Sequence, residues 1–235
     1  MSFGIKYGVY MSKALEKYHS YDKLDEDKYW EIHKSFLTPT SIQIDLDQFN
    51  MCMDKYRDHF KPWGNNRPEL NDIRRGLPLV NMHGKYDDPN DISIGPLDQY
   101  NKSNPDVPYL ENDFVTRTEI LNDPAFSSLD RLTAYLCRSS ILHWYKGANF
   151  LPHYDVLVPT VNLRLWGTNN PSNISLRYQS GDDMIEVADT VEAGRLYLIE
   201  TSTIHDASCI SNEVYQFFMA LNIDSYETLK EYLNV

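Results

Sequence analysis

Two short stretches decide how this chain is read: Leu151-Pro152-His153-Tyr154-Asp155, and, one run of short strands later, Ile204-His205-Asp206-Ala207. On an extended strand, residues i and i+2 project to the same side. His153 and Asp155 therefore turn an imidazole and a carboxylate toward one point. His205 follows 52 positions later, just beyond the apolar run Leu196-Tyr197-Leu198-Ile199. Two neutral imidazoles and one carboxylate gathered on one face leave three positions on a metal ion open, an arrangement suited to a ferrous ion. His-x-Asp alone also occurs on ordinary strand surfaces. What gives it weight is its place at the start of a run of hairpins, with a single later His after a Gly turn (Glu192-Ala193-Gly194) and an apolar strand.

Outward from these residues the second half reads as short strands separated by turn signals. Strands are expected at 139–145, 155–158, 161–166, 174–179, 184–188, 195–200 and 215–223. The separators are Lys146-Gly147-Ala148-Asn149, Asn169-Asn170-Pro171, Ser180-Gly181-Asp182-Asp183 and Glu192-Ala193-Gly194. That spacing predicts an antiparallel, two-sheet barrel of the jelly-roll kind. The first half reads differently. Phe49, Met53, Tyr56 and Phe60 form a helical stripe over 47–61, capped by Asp45 or Asp47 and stopped by Pro62. A strand is expected at 41–45, helices at 25–36 and 127–136, and a closing helix at 225–233. Between them, 64–113 is a long polar connection with six prolines and four glycines, a length that usually marks a lid or a binding loop. The expected organisation is one folded unit: helical and loop support over 1–137, the β core over 138–224, and a C-terminal helix over 225–235.

Composition bounds the rest. The 235 residues are 42% apolar and include 17 Tyr, 9 Phe and 4 Trp, ample material for a packed core. A formal charge of −12 counts against a nucleic-acid partner. No apolar run is long enough to cross a membrane, and the N-terminus lacks the pattern of a secretory signal. Cys52, Cys137 and Cys209 are widely spaced and form no Cys-x-x-Cys pair, so a reduced, cytoplasmic setting is expected.

Residues 138–224 resemble the double-stranded β-helix core of the Fe(II)/2-oxoglutarate-dependent oxygenases, within them the aspartyl/asparaginyl β-hydroxylase and proline-hydroxylase branch, including small phage-encoded members. The likeness is carried by Arg138-Ser139-Ser140 through Gly147, by His153-Tyr154-Asp155, by Asn162-Leu163-Arg164-Leu165-Trp166-Gly167-Thr168-Asn169, and by Gly194 to Ile199 followed by Ile204-His205-Asp206-Ala207. Arg74-Arg75-Gly76-Leu77-Pro78-Leu79 resembles an Arg-Gly-Leu stretch of the phage members. The resemblance implies a mainly β, cupin-like fold with supporting helices and a metal set of His153, Asp155 and His205. It also implies Fe(II), 2-oxoglutarate and O₂ as cofactor and co-substrates, and hydroxylation of an unactivated C–H bond of an amino acid or peptidyl residue. It places Arg164 on the distal carboxylate of 2-oxoglutarate, a task for which the planar guanidinium is suited. Many members carry a second Arg or Lys about ten positions past the distal His. Here Gln216 holds that stretch, so Arg138, Arg177 and Gln216 stand as helpers to Arg164.

Trp144, Tyr145, Trp166 and Tyr178 are expected as core or pocket wall, with Trp166 and the loop residue His83 as candidate substrate contacts. His143 reads as a satisfied polar core residue. The acid run Asp87-Asp88-Pro89-Asn90-Asp91 lacks the Gly and terminal Glu of an EF-hand loop, and Asp182-Asp183 serves a hairpin turn. Two other readings compete with the oxygenase: a non-catalytic jelly-roll binding module, and a cupin-like metalloenzyme that does not use 2-oxoglutarate.

Overall fold

The computed structural model describes residues 23–63, 67–88, 91–155 and 162–233. Helices α1 (Lys23–Ile32) and α2 (Leu46–Tyr56) flank strand β1 (Leu37–Gln43), and β2 (Lys61–Pro62) and β3 (Arg74–Asn81) follow. Next come α3 (Leu97–Ser103), β4 (Thr116–Arg117) and the core strands β5 (Ser139–Tyr145), β6 (Asn149–His153), β7 (Asn162–Thr168) and β8 (Ile174–Ser180). The chain continues through β9 (Asp183–Glu186), β10 (Arg195–Ile199), β11 (His205–Cys209) and β12 (Glu213–Asn222) to α4 (Tyr226–Lys230).

The strands form two antiparallel sheets. The larger runs β1-β10-β7-β12-β5-β3-β2, with β4 on β3; the smaller runs β6-β11-β8-β9. Followed along the chain, β5 to β12 pass back and forth between them, so that each sheet takes four of these eight strands. This is a double-stranded β-helix, the jelly-roll architecture expected from the turn spacing.

Alternation within a strand sorts its side chains between two cores. In β12, Val214 and Phe218 turn into the barrel, while Tyr215, Phe217 and Met219 turn outward. The barrel core gathers Trp144, Trp166, Leu176, Tyr197, Ile199 and Cys209. On the outer face of the large sheet, Phe217, Leu77, Leu79 and Ile141 meet Phe49 and Met53 of α2. That helix follows the stripe predicted for it, with Asp45 Oδ1 accepting from the backbone N–H of Asp47 and Gln48 as its cap. It gives way at Arg57 to a single 3₁₀ turn before Phe60.

Several expectations shift. The connection 64–113 is not loop throughout. It contains β3, a largely buried strand paired to β5, which its two arginines, Gly76 and Pro78 disguised. The first helix ends at Ile32 rather than 36, and the next strand starts at Leu37 rather than 41. Residues 127–136 form 3₁₀ turns instead of a helix. Strands β6 and β11 were not foreseen as strands; the segment expected at 155–158 lies, beyond Asp155, outside the described residues. The closing helix is shorter than expected. Among the described residues no helix is long and apolar enough to cross a membrane, and all three cysteines are free and buried.

One close approach holds the large sheet together at the barrel wall. A Cβ on Gly167 of β7 would lie 2.5 Å from the carbonyl oxygen of Arg195 and 2.8 Å from Cδ2 of Leu196. Gly167→Ala is expected to cost about 3 kcal/mol, because the first of these contacts is rigid backbone. Urea unfolding of the variant checks this.

Candidate metal centre

Strands β6 and β11 are antiparallel neighbours, and their register sets His205 directly opposite His153. Directly opposed residues share a face, and the two rings stand with centroids 4.5 Å apart. Each ring is held by its own strand end. Nδ1 of His153 lies 2.7 Å from the carbonyl oxygen of Leu151, and Nδ1 of His205 lies 2.8 Å from that of Thr203. A carbonyl oxygen only accepts, so each Nδ1 carries the proton and each Nε2 is left with its lone pair. Burial pushes the His205 pKa down against its bond to Thr203 and the pull of Asp155, which keeps the ring neutral. In their neutral forms the two imidazoles would thus offer Nε2 donors on one face.

Asp155 follows β6 by two residues and is fixed through its backbone N–H, which donates to the carbonyl of Thr201 at 2.7 Å. Burial works to raise its carboxyl pKa. Arg164, then His205 and His153, and a hydrogen bond from Thr201 outweigh it and hold the group below the usual carboxylate range. The carboxylate therefore shares the field of both imidazoles. Its nearest charged partner is Arg164, whose Nη1 lies 3.6 Å from Oδ2. Among the described residues no group of three or more His, Cys, Asp or Glu side chains is placed to hold a metal ion. By residue type, two imidazoles and a carboxylate suit a ferrous ion; the structure sets the two imidazoles face to face, and Asp155 lies two residues past the end of β6.

Arg164 projects from β7 into the mouth of the barrel, above Phe218. Its Nη2 lies 2.9 Å from Oε2 of Glu111, and Asn162 Nδ2 donates to that same oxygen at 3.0 Å. Nη1 of Arg138 is 3.8 Å from the other oxygen of Glu111. Two guanidiniums and two carboxylates, all largely buried, therefore balance at the mouth. Glu111 was not anticipated. It comes from a 3₁₀ turn in the long polar connection, and nothing in Leu110-Glu111-Asn112-Asp113 marks it as different from its neighbours.

The proposed helpers of Arg164 are placed unequally. Arg138 is committed to the connection, donating from Nε to the carbonyl of Ser93 at 3.0 Å and from Nη2 to that of Gly95. Arg177 turns away. It forms a bidentate pair with Asp206 at 2.9 and 2.6 Å, and Asp206, next to His205 on β11, points to the opposite face. Gln216 lies inside the barrel, where its Oε1 accepts from Nε1 of Trp166 at 3.1 Å. Trp166 is itself buried, a wall rather than an exposed contact. His83 is exposed in the turn after β3 and pairs with Asp88 at 3.3 Å within its own loop, away from the imidazoles. His143 is satisfied by Glu213 at 2.7 Å, as a polar core residue.

The approach to His205 is roofed by α1. Tyr29 donates to Oε1 of Glu200 at 3.3 Å, and Glu200 also accepts from the backbone N–H of Ser202 and from the hydroxyls of Ser202 and Thr203. Beside this latch an open groove of about 240 Å³ is lined by Trp30, His33, Phe36, Tyr178 and Thr203. The Phe36 ring stacks on Tyr178 and lies 5.9 Å from His205.

No family model matches the sequence, and no curated protein matches it. Solved structures of similar fold include a 2OG-Fe(II) oxygenase family oxidoreductase from Burkholderia pseudomallei, at 10% identity, covering 85% of this chain and 90% of that one, with a TM-score of 0.47. A prolyl hydroxylase from Trichoplax adhaerens, in complex with a hypoxia inducible factor peptide fragment, is similar at 12% identity, covering 93% and 96%, with a TM-score of 0.45. A Pseudomonas putida prolyl-4-hydroxylase is similar at 13% identity, covering 84% and 98%, with a TM-score of 0.41. At such distances function has to be read from the side chains of this chain itself.

Proposed function

We propose that this protein is an Fe(II)- and 2-oxoglutarate-dependent oxygenase that hydroxylates an unactivated C–H bond of an amino acid or a peptidyl residue. The observation that carries the reading is the facing pair His153 and His205, with both Nδ1 protons fixed and both Nε2 lone pairs free, beside the ionised Asp155. These three residues would hold the iron. Bound there with 2-oxoglutarate and O₂, the iron supplies the oxidising power for hydroxylation, coupled to conversion of the co-substrate to succinate and CO₂.

The chain's own residues do the positioning. The carbonyls of Leu151 and Thr203 lock the two rings in the tautomer a metal requires. Arg164 keeps Asp155 ionised and oriented. The groove beside the Tyr29–Glu200 latch, lined by Phe36 and Tyr178, is the opening through which a substrate side chain would approach His205. A carboxylate at position 155 favours hydroxylation over halogenation, since halide needs that ligand position vacant.

Anaerobic addition of Fe(II) and then 2-oxoglutarate to the full chain is expected to give a green-absorbing metal-to-ligand band, and admission of O₂ is expected to release succinate. Iron bound without the band or succinate would point to a cupin-like enzyme of other chemistry. No bound iron would leave only a binding module.

A further inference from the structure

Arg164, the expected anchor for the tail of 2-oxoglutarate, is already neutralised by Glu111 and Asp155. Three other donors of the barrel have no acceptor among the described residues. Nε of Arg74, Nε1 of Trp144 and Nε2 of Gln216 are all buried and without a hydrogen-bond partner. They belong to three consecutive strands, β3, β5 and β12, and to the inner face of each. Arg74 is directly opposite Trp144 across β3 and β5, and Trp144 is directly opposite Val214, two residues before Gln216 on β12. Arg74 is 2% exposed, Trp144 0% and Gln216 2%. Among the described residues the Arg74 guanidinium donates from Nη1 to the carbonyl of Asn149, at 2.6 Å.

A buried guanidinium facing no carboxylate is costly unless an anion completes it. The acid that acts on Arg74, Glu69, is exposed and already paired with Arg67 at 3.2 Å. Burial, followed by the like charge of Arg67, brings the Arg74 pKa down to about 10, as expected for a cation lacking its counter-charge. Three N–H donors with no acceptor, one of them charged, match a carboxylate, which offers only acceptors.

The site communicates with the imidazole pair through one ring. Phe150 stands 4.9 Å from the Arg74 guanidinium, 4.9 Å from Trp144 and 5.8 Å from His153. A five-carbon dicarboxylate spans roughly 5 Å between its carboxyl carbons at ordinary bond lengths. That suits a molecule whose head lies at the imidazoles and whose tail passes along Phe150. We infer that Arg74, with Trp144 and Gln216, forms a carboxylate site on the barrel floor that holds the distal carboxylate of 2-oxoglutarate in place of Arg164. This rests on the oxygenase reading and names its anchor: a cation from the strand beside β5 does the work of the one missing at position 216.

The test is calorimetric titration of the full chain with 2-oxoglutarate and, separately, with glutarate, which has the tail but no keto group to bind metal. Arg74→Met is expected to weaken both about thirtyfold, the loss of a charge-assisted hydrogen bond, and Trp144→Phe about fivefold. Ligand-free Arg74→Met is expected to melt above the parent chain, since it removes an uncompensated buried charge, and to lose the rise in Tm that glutarate gives the parent. An Arg74 of purely structural value would lower Tm and leave glutarate affinity unchanged, which overturns the inference. So does a parent chain that binds no glutarate at millimolar concentration. If Arg74→Met folds poorly, Arg74→Lys keeps the charge without Nε and is expected to lose about tenfold in affinity; unchanged affinity there also counts against the site. Mn(II) binding, followed by its paramagnetic resonance signal, separates the two readings. Mn(II) bound with unchanged 2-oxoglutarate affinity in Arg74→Met overturns the anchor and leaves the metal centre. Arg74-dependent glutarate binding in a chain that takes no Mn(II) supports the anchor and removes the iron.

Discussion

Replacing His205 with alanine is expected to lower Mn(II) affinity at least about a hundredfold, while the circular dichroism of the β-rich chain stays unchanged. The size of the effect follows from how the ring is held. Its Nδ1 proton is engaged by Thr203, so Nε2 is the atom left for a metal, and removing the ring takes away that donor at the structural expense of one hydrogen bond to a backbone carbonyl. The structural loss is the Nδ1 bond to the Thr203 carbonyl and the ring contacts with His153 and Phe36. A Thr203-independent ring would behave differently: were the imidazole free to spin, its tautomer would be mixed and the affinity of the parent chain lower. Unchanged Mn(II) stoichiometry in His205→Ala would remove the facing pair from any metal-binding role.

The second large effect concerns stability. Arg164→Met is expected to cost about 3–5 kcal/mol at neutral pH, because it leaves the buried carboxylates of Glu111 and Asp155 with Arg138 as their remaining guanidinium. The sign of the pH dependence follows from Asp155. Its pKa is depressed in the folded chain, so its contribution is present above the unfolded value and is lost as pH falls through the folded value. The gap between parent and variant should therefore be full at pH 7 and shrink below about pH 4. Urea unfolding of the metal-free proteins at both pH values measures it. A double variant with Glu111→Gln should recover part of the loss, since one of the stranded charges is then gone. No recovery would mean that Arg164 acts through packing on Phe218 instead.

Much of this was legible in the sequence where a local pattern coincided with a long-range one. The turn spacing between 139 and 223 gave the barrel, because hairpins are set by local turn chemistry. His153, Asp155 and His205 were proposed from strand periodicity and chain order; the structure sets the two histidines opposite each other, while Asp155 lies past the end of β6. Three things were hidden, each for a physical reason. β3 is buried on both sides, so it shows no alternation, and its arginines and Pro78 imitate a loop. Glu111 takes part only through a tertiary contact made across a long connection, where chain order gives no signal. Arg177 sits one residue out of phase with the inner face, and on a strand that single step turns a helper into a partner of the buried Asp206 on the opposite face. The orphan donors of the barrel floor were beyond reach for the same reason: a tryptophan or an arginine on a strand looks alike in sequence whether its N–H is satisfied or not.

The order of the large sheet carries a last consequence, for solubility. One margin is β1, and the other, beyond β3, is shared by β2 and the two-residue β4. β1 carries Pro39 and an irregular register between Pro39 and Gln43, and β2 is only two residues long and ends in Pro62. Each proline lacks the amide hydrogen that a stacking neighbour would need, and so short or kinked a rim offers little template for recruiting another chain. Mutations that straighten this rim, such as Pro39→Val, are therefore expected to promote aggregation, which light scattering checks.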